Sequence, residues 1–162
     1  MTKTRTRSPE SAAGAATDLL ALDRQVCFAL AVASRTVISL YRPLLEPMGL
    51  THPQYLVMLA LWEDSPLRVS DLAQRLSLEP ATLSPLLKRL EAAGMVTRDR
   101  DPLDDRALAV SLTRKGAAAR KRAERIPPAI IDRLGMGIGE LEAMRDSLTR
   151  LIAAAAEPSP DS

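Results

Sequence analysis

The 162-residue sequence has one cysteine, one histidine, one tryptophan, two tyrosines and one phenylalanine. A single cysteine excludes an internal disulfide and suits a reducing compartment, so a cytoplasmic location is expected. One Cys and one His cannot by themselves complete a tetrahedral zinc site, and no metal or other cofactor is expected. With aromatics at 2%, a packed core must be aliphatic. No unbroken run of about 18 apolar residues occurs, so no membrane span is expected. Lys3, Arg5 and Arg7 are not followed by an apolar stretch, which argues against a secretory signal. Neither sign of charge dominates: 22 basic against 20 acidic residues leave a net charge of +2.

The sequence does have an apolar fraction of 46%, enough for one domain with an appended dimerisation element. Its basic charge is also unevenly placed. Residues 86–125 carry eleven Lys/Arg against six acids, so a local excess of five sits on a chain otherwise slightly acidic. A basic segment on a near-neutral protein fits contact with a polyanion. It fits a solvated charged face equally well.

Residues 1–16 are polar, small and Gly/Pro-containing, and are expected to be disordered. Apolar positions at Leu19, Leu22, Val26, Leu30, Ala33, Val37, Leu40 and Leu44 recur at three- and four-residue steps and predict a long helix. Its N-cap is Asp23 or Thr17, and Pro43 and Pro47 bend or end it. A second helix runs from about Pro53 to Asp64 with Thr51 or His52 before it, and Ser65-Pro66 ends it. Two short helices follow. The first is capped by Ser70 and buries Val69, Leu72, Ala73 and Leu76. After a turn at 77–79 the second buries Leu83, Leu86, Leu87 and Leu90 and stops at Gly94. Pro85 fits if that helix begins near Thr82; otherwise it implies a kink.

Residues 96–100 and 108–112 alternate as a hairpin, with Leu108, Val110 and Leu112 sharing a side and a polar connection containing Pro102. Thr113 caps a further helix that meets Pro127-Pro128. A last helix carries Leu141, Met144, Leu148 and Leu151 at seam spacing.

The fold class is therefore mostly α with a small β-hairpin wing: a winged helix-turn-helix whose flanking helices form a dimerisation region. The expected division is a tail over 1–16, helical dimerisation segments over 17–47 and 113–156, and the winged domain over 48–112. The terminal helices are more apolar than a small winged domain needs, which predicts a homodimer.

The second helix of such a motif enters the major groove of double-stranded DNA, where each base pair shows a distinct pattern. Its outward positions are Ala81, Thr82, Ser84, Lys88 and Arg89. The short Thr82 and Ser84 suit base edges, and Lys88 and Arg89 suit phosphates. Arg106 at the wing tip suits the minor groove. Asp104 is expected to hold its guanidinium; the plainer alternative is a local surface pair.

The residues just described, with Leu22-Asp23-Arg24-Gln25-Val26-Cys27-Phe28, Tyr41-Arg42-Pro43-Leu44-Leu45, Pro53-Gln54-Tyr55-Leu56, Leu61-Trp62-Glu63, the run 82–91 and Asp104-Asp105-Arg106, resemble a MarR-family winged-helix repressor over Leu22 to about Glu124. Within that family they are similar to the organic-hydroperoxide-sensing branch. The resemblance implies a homodimer on an inverted-repeat operator and a peroxide-reactive Cys27 held by tyrosine hydroxyls of the other subunit. Two positions depart from the branch pattern: Ala31 and His52 stand where it has tyrosines, leaving Tyr41.

Cys27 also has a plain reading as a small buried hydrophobe. Against it, a cap at Asp23 would set the thiol in the first turn of its helix, where the dipole favours thiolate. Tyr41 lies fourteen residues on, about 21 Å along a continuous helix, so contact requires an antiparallel partner chain. His52 reads as a surface or capping residue, or as a hydrogen-bond donor near the thiol. With no second cysteine to resolve a sulfenate, a small cellular thiol is the expected partner in a mixed disulfide on Cys27. Two alternatives stand beside the redox switch. One is a repressor released by a phenolic or apolar ligand, with Cys27 inert. The other, a one-cysteine peroxidase, requires a strand–helix scaffold this pattern lacks; an enzyme is not expected.

Overall fold

The computed structural model describes residues 21–22, 25–101 and 104–156. Two compact units are distinguished, residues 1–36 and residues 37–162. The proposed caps Asp23 and Thr17 and the 1–16 tail lie outside the described residues.

Helix α1 spans Val26–Leu45 and runs through Pro43 before ending in a 3-10 turn over Glu46–Met48. Its only buried residue is Leu45; Val26, Phe28, Val32 and Ile38 are exposed. By length and composition alone Val26–Met48 is apolar enough to cross a membrane, its most apolar 18-residue window having a mean hydropathy of 1.2. Arg35 and Arg42 interrupt the apolar run without lowering that average far.

The core forms within residues 45–130. Helix α2 (His52–Glu63) starts after Thr51, whose N–H donates to the Gln54 side chain at 2.9 Å, half of a capping box. It buries Tyr55, Val57, Met58, Ala60 and Leu61. A two-residue strand β1 (Leu67–Arg68) passes directly into α3 (Val69–Arg75). Arg68 is therefore the N-cap, and Ser70 is not: it lies inside the helix, its hydroxyl 3.4 Å from Asp71. After a turn in which Ser77 adopts φ 51°, α4 (Pro80–Ala92) buries Leu83, Leu87 and Leu90. Gly94 follows at φ 69°, the left-handed exit that glycine permits.

Strands β2 (Val96–Asp101) and β3 (Asp104–Leu112) pair antiparallel, with β1 on the other side of β3. The strands run further toward the tip than residue alternation suggested: Asp101 pairs with Asp104, with an irregularity between Arg100 and Asp101. Ladder hydrogen bonds carry polar residues there. One expectation fails: Val110 is buried, but Leu108 is 48% exposed and Ala109 is buried, because β1 covers β3 at Val110 and Ala109 and ends there.

Thr113 caps α5 (Arg114–Ala123), accepting from the Gly116 N–H at 3.0 Å. A Cβ at Gly116 would collide with the Met95 carbonyl, and the Gly116 carbonyl accepts from the Trp62 indole at 2.8 Å. Helix α6 (Ile126–Leu134) was not foreseen as separate; Pro127 and Pro128 sit in its first turn, where a missing N–H costs nothing. Helix α7 (Ile138–Ala156) buries no residue.

Candidate nucleic-acid interface and thiol site

Ala81, Thr82, Ser84, Lys88 and Arg89 are all exposed on α4. At about 100° per residue they cover about 160° of its circumference, opposite the buried leucines. Three contacts not legible in the sequence fix α4 and the wing beside it. Arg98 on β2 grips Glu91 on α4, with Nε and Nη2 at 3.1 and 2.6 Å from one carboxylate oxygen. Arg68 on β1 pairs with the buried Asp101 on β2 at 2.6 Å. Lys115 donates to the Ala93 carbonyl at 2.8 Å, where α4 ends.

These contacts redistribute the basic segment. Arg98 is neutralised by Glu91, and the hydrogen bond from Arg98 holds the Glu91 carboxyl below the usual carboxylate range. Arg120 faces Glu124 at 3.4 Å. Lys88, Arg89, Arg100 and Arg106 remain exposed, and among the described residues none of them forms an ion pair. Asp104 corrects an expectation: its carboxylate accepts from the Arg106 main-chain N–H at 3.0 Å, not from the guanidinium. A side-chain oxygen two residues before an N–H closes an Asx turn, which shapes the tip and leaves the Arg106 side chain outward.

Cys27 is exposed, second in α1, so the buried-hydrophobe reading does not describe it in this chain. Tyr41 and His52 lie edge to face with ring centroids 4.8 Å apart. Tyr55, which the sequence reading left out of this group, joins them at 5.9 Å from Tyr41 and 6.5 Å from His52, and Trp62 follows at 6.3 Å from Tyr55. Its spacing of three residues from His52 on α2 was the available signal. Burial raises the Tyr41 phenol. It also raises Tyr55, with a smaller contribution from Tyr41, and lowers His52. The histidine is therefore half-buried in an aromatic group rather than a free surface residue.

A three-stranded wing beside an exposed, basic second helix defines a winged helix-turn-helix DNA-binding regulator. The MarR family model matches residues 50–108. The organic hydroperoxide resistance transcriptional regulator of Bacillus subtilis is 37% identical over 83% of this chain and 92% of its own length. Reduced AbfR bound to DNA, the Staphylococcus epidermidis protein, superposes with a TM-score of 0.69 at 33% identity, covering 84% of this chain and 95% of that one. CouR of Rhodococcus jostii bound to p-coumaroyl-CoA superposes at 0.70 with 27% identity, over 82% and 94%. The chain belongs to the MarR family. It is a transcriptional regulator and not an enzyme.

Proposed function

We propose that the chain is a homodimeric repressor whose hold on an inverted-repeat operator is released when an organic peroxide oxidises Cys27. The observation that carries this reading is the place of the one thiol: exposed in the first turn of α1, between Val26 and Phe28, on a helix whose Val26, Phe28, Val32 and Ile38 are also exposed. A second copy laid antiparallel would cover both. Tyr41 and His52 of that copy would then face the thiol. Segments 17–47 and 113–156 serve as the dimerisation region and 48–112 as the DNA-binding domain. Thr82 and Ser84 read base edges or a thymine methyl beside the outward Ala81, Lys88 and Arg89 hold phosphates, and Arg106 enters the minor groove on the turn that Asp104 closes. Such a protein works in the cytoplasm, where thiols are kept reduced.

In the chemistry, the Cys27 thiolate attacks the peroxide O–O bond. Its sulfur gains one oxygen as sulfenate and the peroxide leaves as the alcohol. With no second cysteine in the sequence, a small cellular thiol condenses with the sulfenic acid, expelling water and leaving a mixed disulfide. Extra atoms in a packed interface cost about 1–3 kcal/mol per site. Two sites then approach the roughly 5.5 kcal/mol that inverts a two-state population. The likeness to a hydroperoxide resistance regulator supports this reading.

The test is operator binding with and without cumene hydroperoxide. Wild type releases DNA and Cys27→Ser stays bound; a wild type that stays bound under oxidant overturns the peroxide reading. One observation favours release by a small ligand instead: an open pocket of about 300 Å³ with Tyr55, Leu59, Trp62, Ala123 and Pro127 in its lining and Glu63, Arg120 and Glu124 beside them, in a chain similar to a regulator that binds an aromatic thioester. Thermal stabilisation by such a ligand, with Cys27→Ser indifferent, identifies that case.

A further inference from the structure

Pro85 lies inside α4, which begins at Pro80, so the alternative start near Thr82 does not apply. An α-helix bonds each carbonyl to the N–H four residues on. For the Ala81 carbonyl that donor is residue 85, and proline has none. The pyrrolidine ring also presses on the carbonyl four residues earlier and tilts it outward. Ala81 and Pro85 are both exposed, about 40° apart on the α4 face that carries Thr82, Ser84, Lys88 and Arg89. Pro85 is not among the residues packed in or against the core, so its cost to the helix has no packing return. A local rule broken without structural compensation marks a functional position.

We infer that Pro85 turns the Ala81 main-chain carbonyl into a base-reading acceptor of the recognition helix. This deepens the DNA-binding reading and rests on it. In the major groove the donors available to such an oxygen are the exocyclic amines, N4 of cytosine and N6 of adenine; guanine and thymine offer acceptors. The N-terminal turns of a recognition helix are the part that meets base edges, and the methyl of Ala81 is small enough to leave its own carbonyl reachable. Pro85 is thus a positioning residue: it contributes no contact and acts through the oxygen it unbonds.

The test starts from the duplex that wild type selects from random DNA and measures affinity for every single-base-pair substitution of it. Three proteins are compared: wild type, Pro85→Ala, which restores the N–H, and a semisynthetic chain with lactic acid at position 85, an alanine analogue whose ester oxygen again provides none. Wild type prefers an amine-bearing base by about tenfold at one position. Pro85→Ala levels that preference, keeps the others and melts at a higher temperature; the lactate chain regains it. Replacing the selected adenine by purine, or the selected cytosine by 2-pyrimidinone, reproduces the loss in wild type and shows which amine is read. A Pro85→Ala protein that keeps every preference, or weakens evenly at all positions, overturns the inference while leaving the DNA-binding reading intact. A wild type that selects no duplex overturns both.

Discussion

Helices α4 and α7 are both amphipathic and aliphatic, yet their own chain treats them differently. Helix α4 seals Leu83, Leu87 and Leu90 completely, whereas α7 leaves Ile138, Met144, Leu151 and Ile152 exposed and buries nothing. Helix α1 resembles α7, with only Leu45 buried. Burial of a leucine-sized side chain contributes about 1.5–3 kcal/mol, so the winged region is held by its own residues, while the terminal helices present apolar surface that another molecule must cover. In a family of DNA-binding regulators that cover is a second copy of the chain.

Breaking the satisfied side of this contrast has the largest effect. Leu87→Ala, at a side chain that is 1% exposed, lowers unfolding free energy by about 2–5 kcal/mol, measured by urea denaturation. On the unsatisfied side, Ile152→Glu leaves the circular dichroism of the winged region intact but weakens self-association by more than tenfold, read by sedimentation across a concentration series. Unfolding of Ile152→Glu at low concentration would instead place α7 in the core.

Smaller effects come from the links that hold the reading face. Arg68→Ala removes one partner of buried Asp101 and lowers the melting temperature, by less than Leu87→Ala. The Glu91–Arg98 pair gives a pH dependence of definite sign. Its carboxyl titrates lower in the folded chain than in the unfolded one, so the stability it contributes is present at neutral pH and is lost as pH falls through and below the ordinary carboxylate range. Glu91→Gln flattens that part of the stability–pH curve and weakens operator binding severalfold at pH 7.

The features readable beforehand were the local ones. The leucines at 83, 87 and 90 follow helical period, Gly94 ends α4, and Thr113 caps α5; each depends on neighbours within a few residues. What escaped depends on distant partners. Strand β1 exists because Leu67 pairs with Val110, and once it does, Arg68 rather than Ser70 precedes α3. Asp101, expected in a polar connection, is buried because Arg68 reaches it from β1. Of the candidate site, the outward residues of α4 were legible from period alone. The Tyr41–His52–Tyr55 group was legible only in part, since α1 and α2 are brought together by packing that no spacing along one helix records.

The central claim is that two copies present paired recognition helices one helical turn of DNA apart. Its most direct test is to insert half a turn, about 5 bp, between the half-sites of the selected operator. The account predicts a 2:1 complex on the original site and loss of high-affinity binding on the lengthened one, with recovery when a full turn is inserted. Equal affinity for all three spacings, or a 1:1 complex on each half-site, would contradict it.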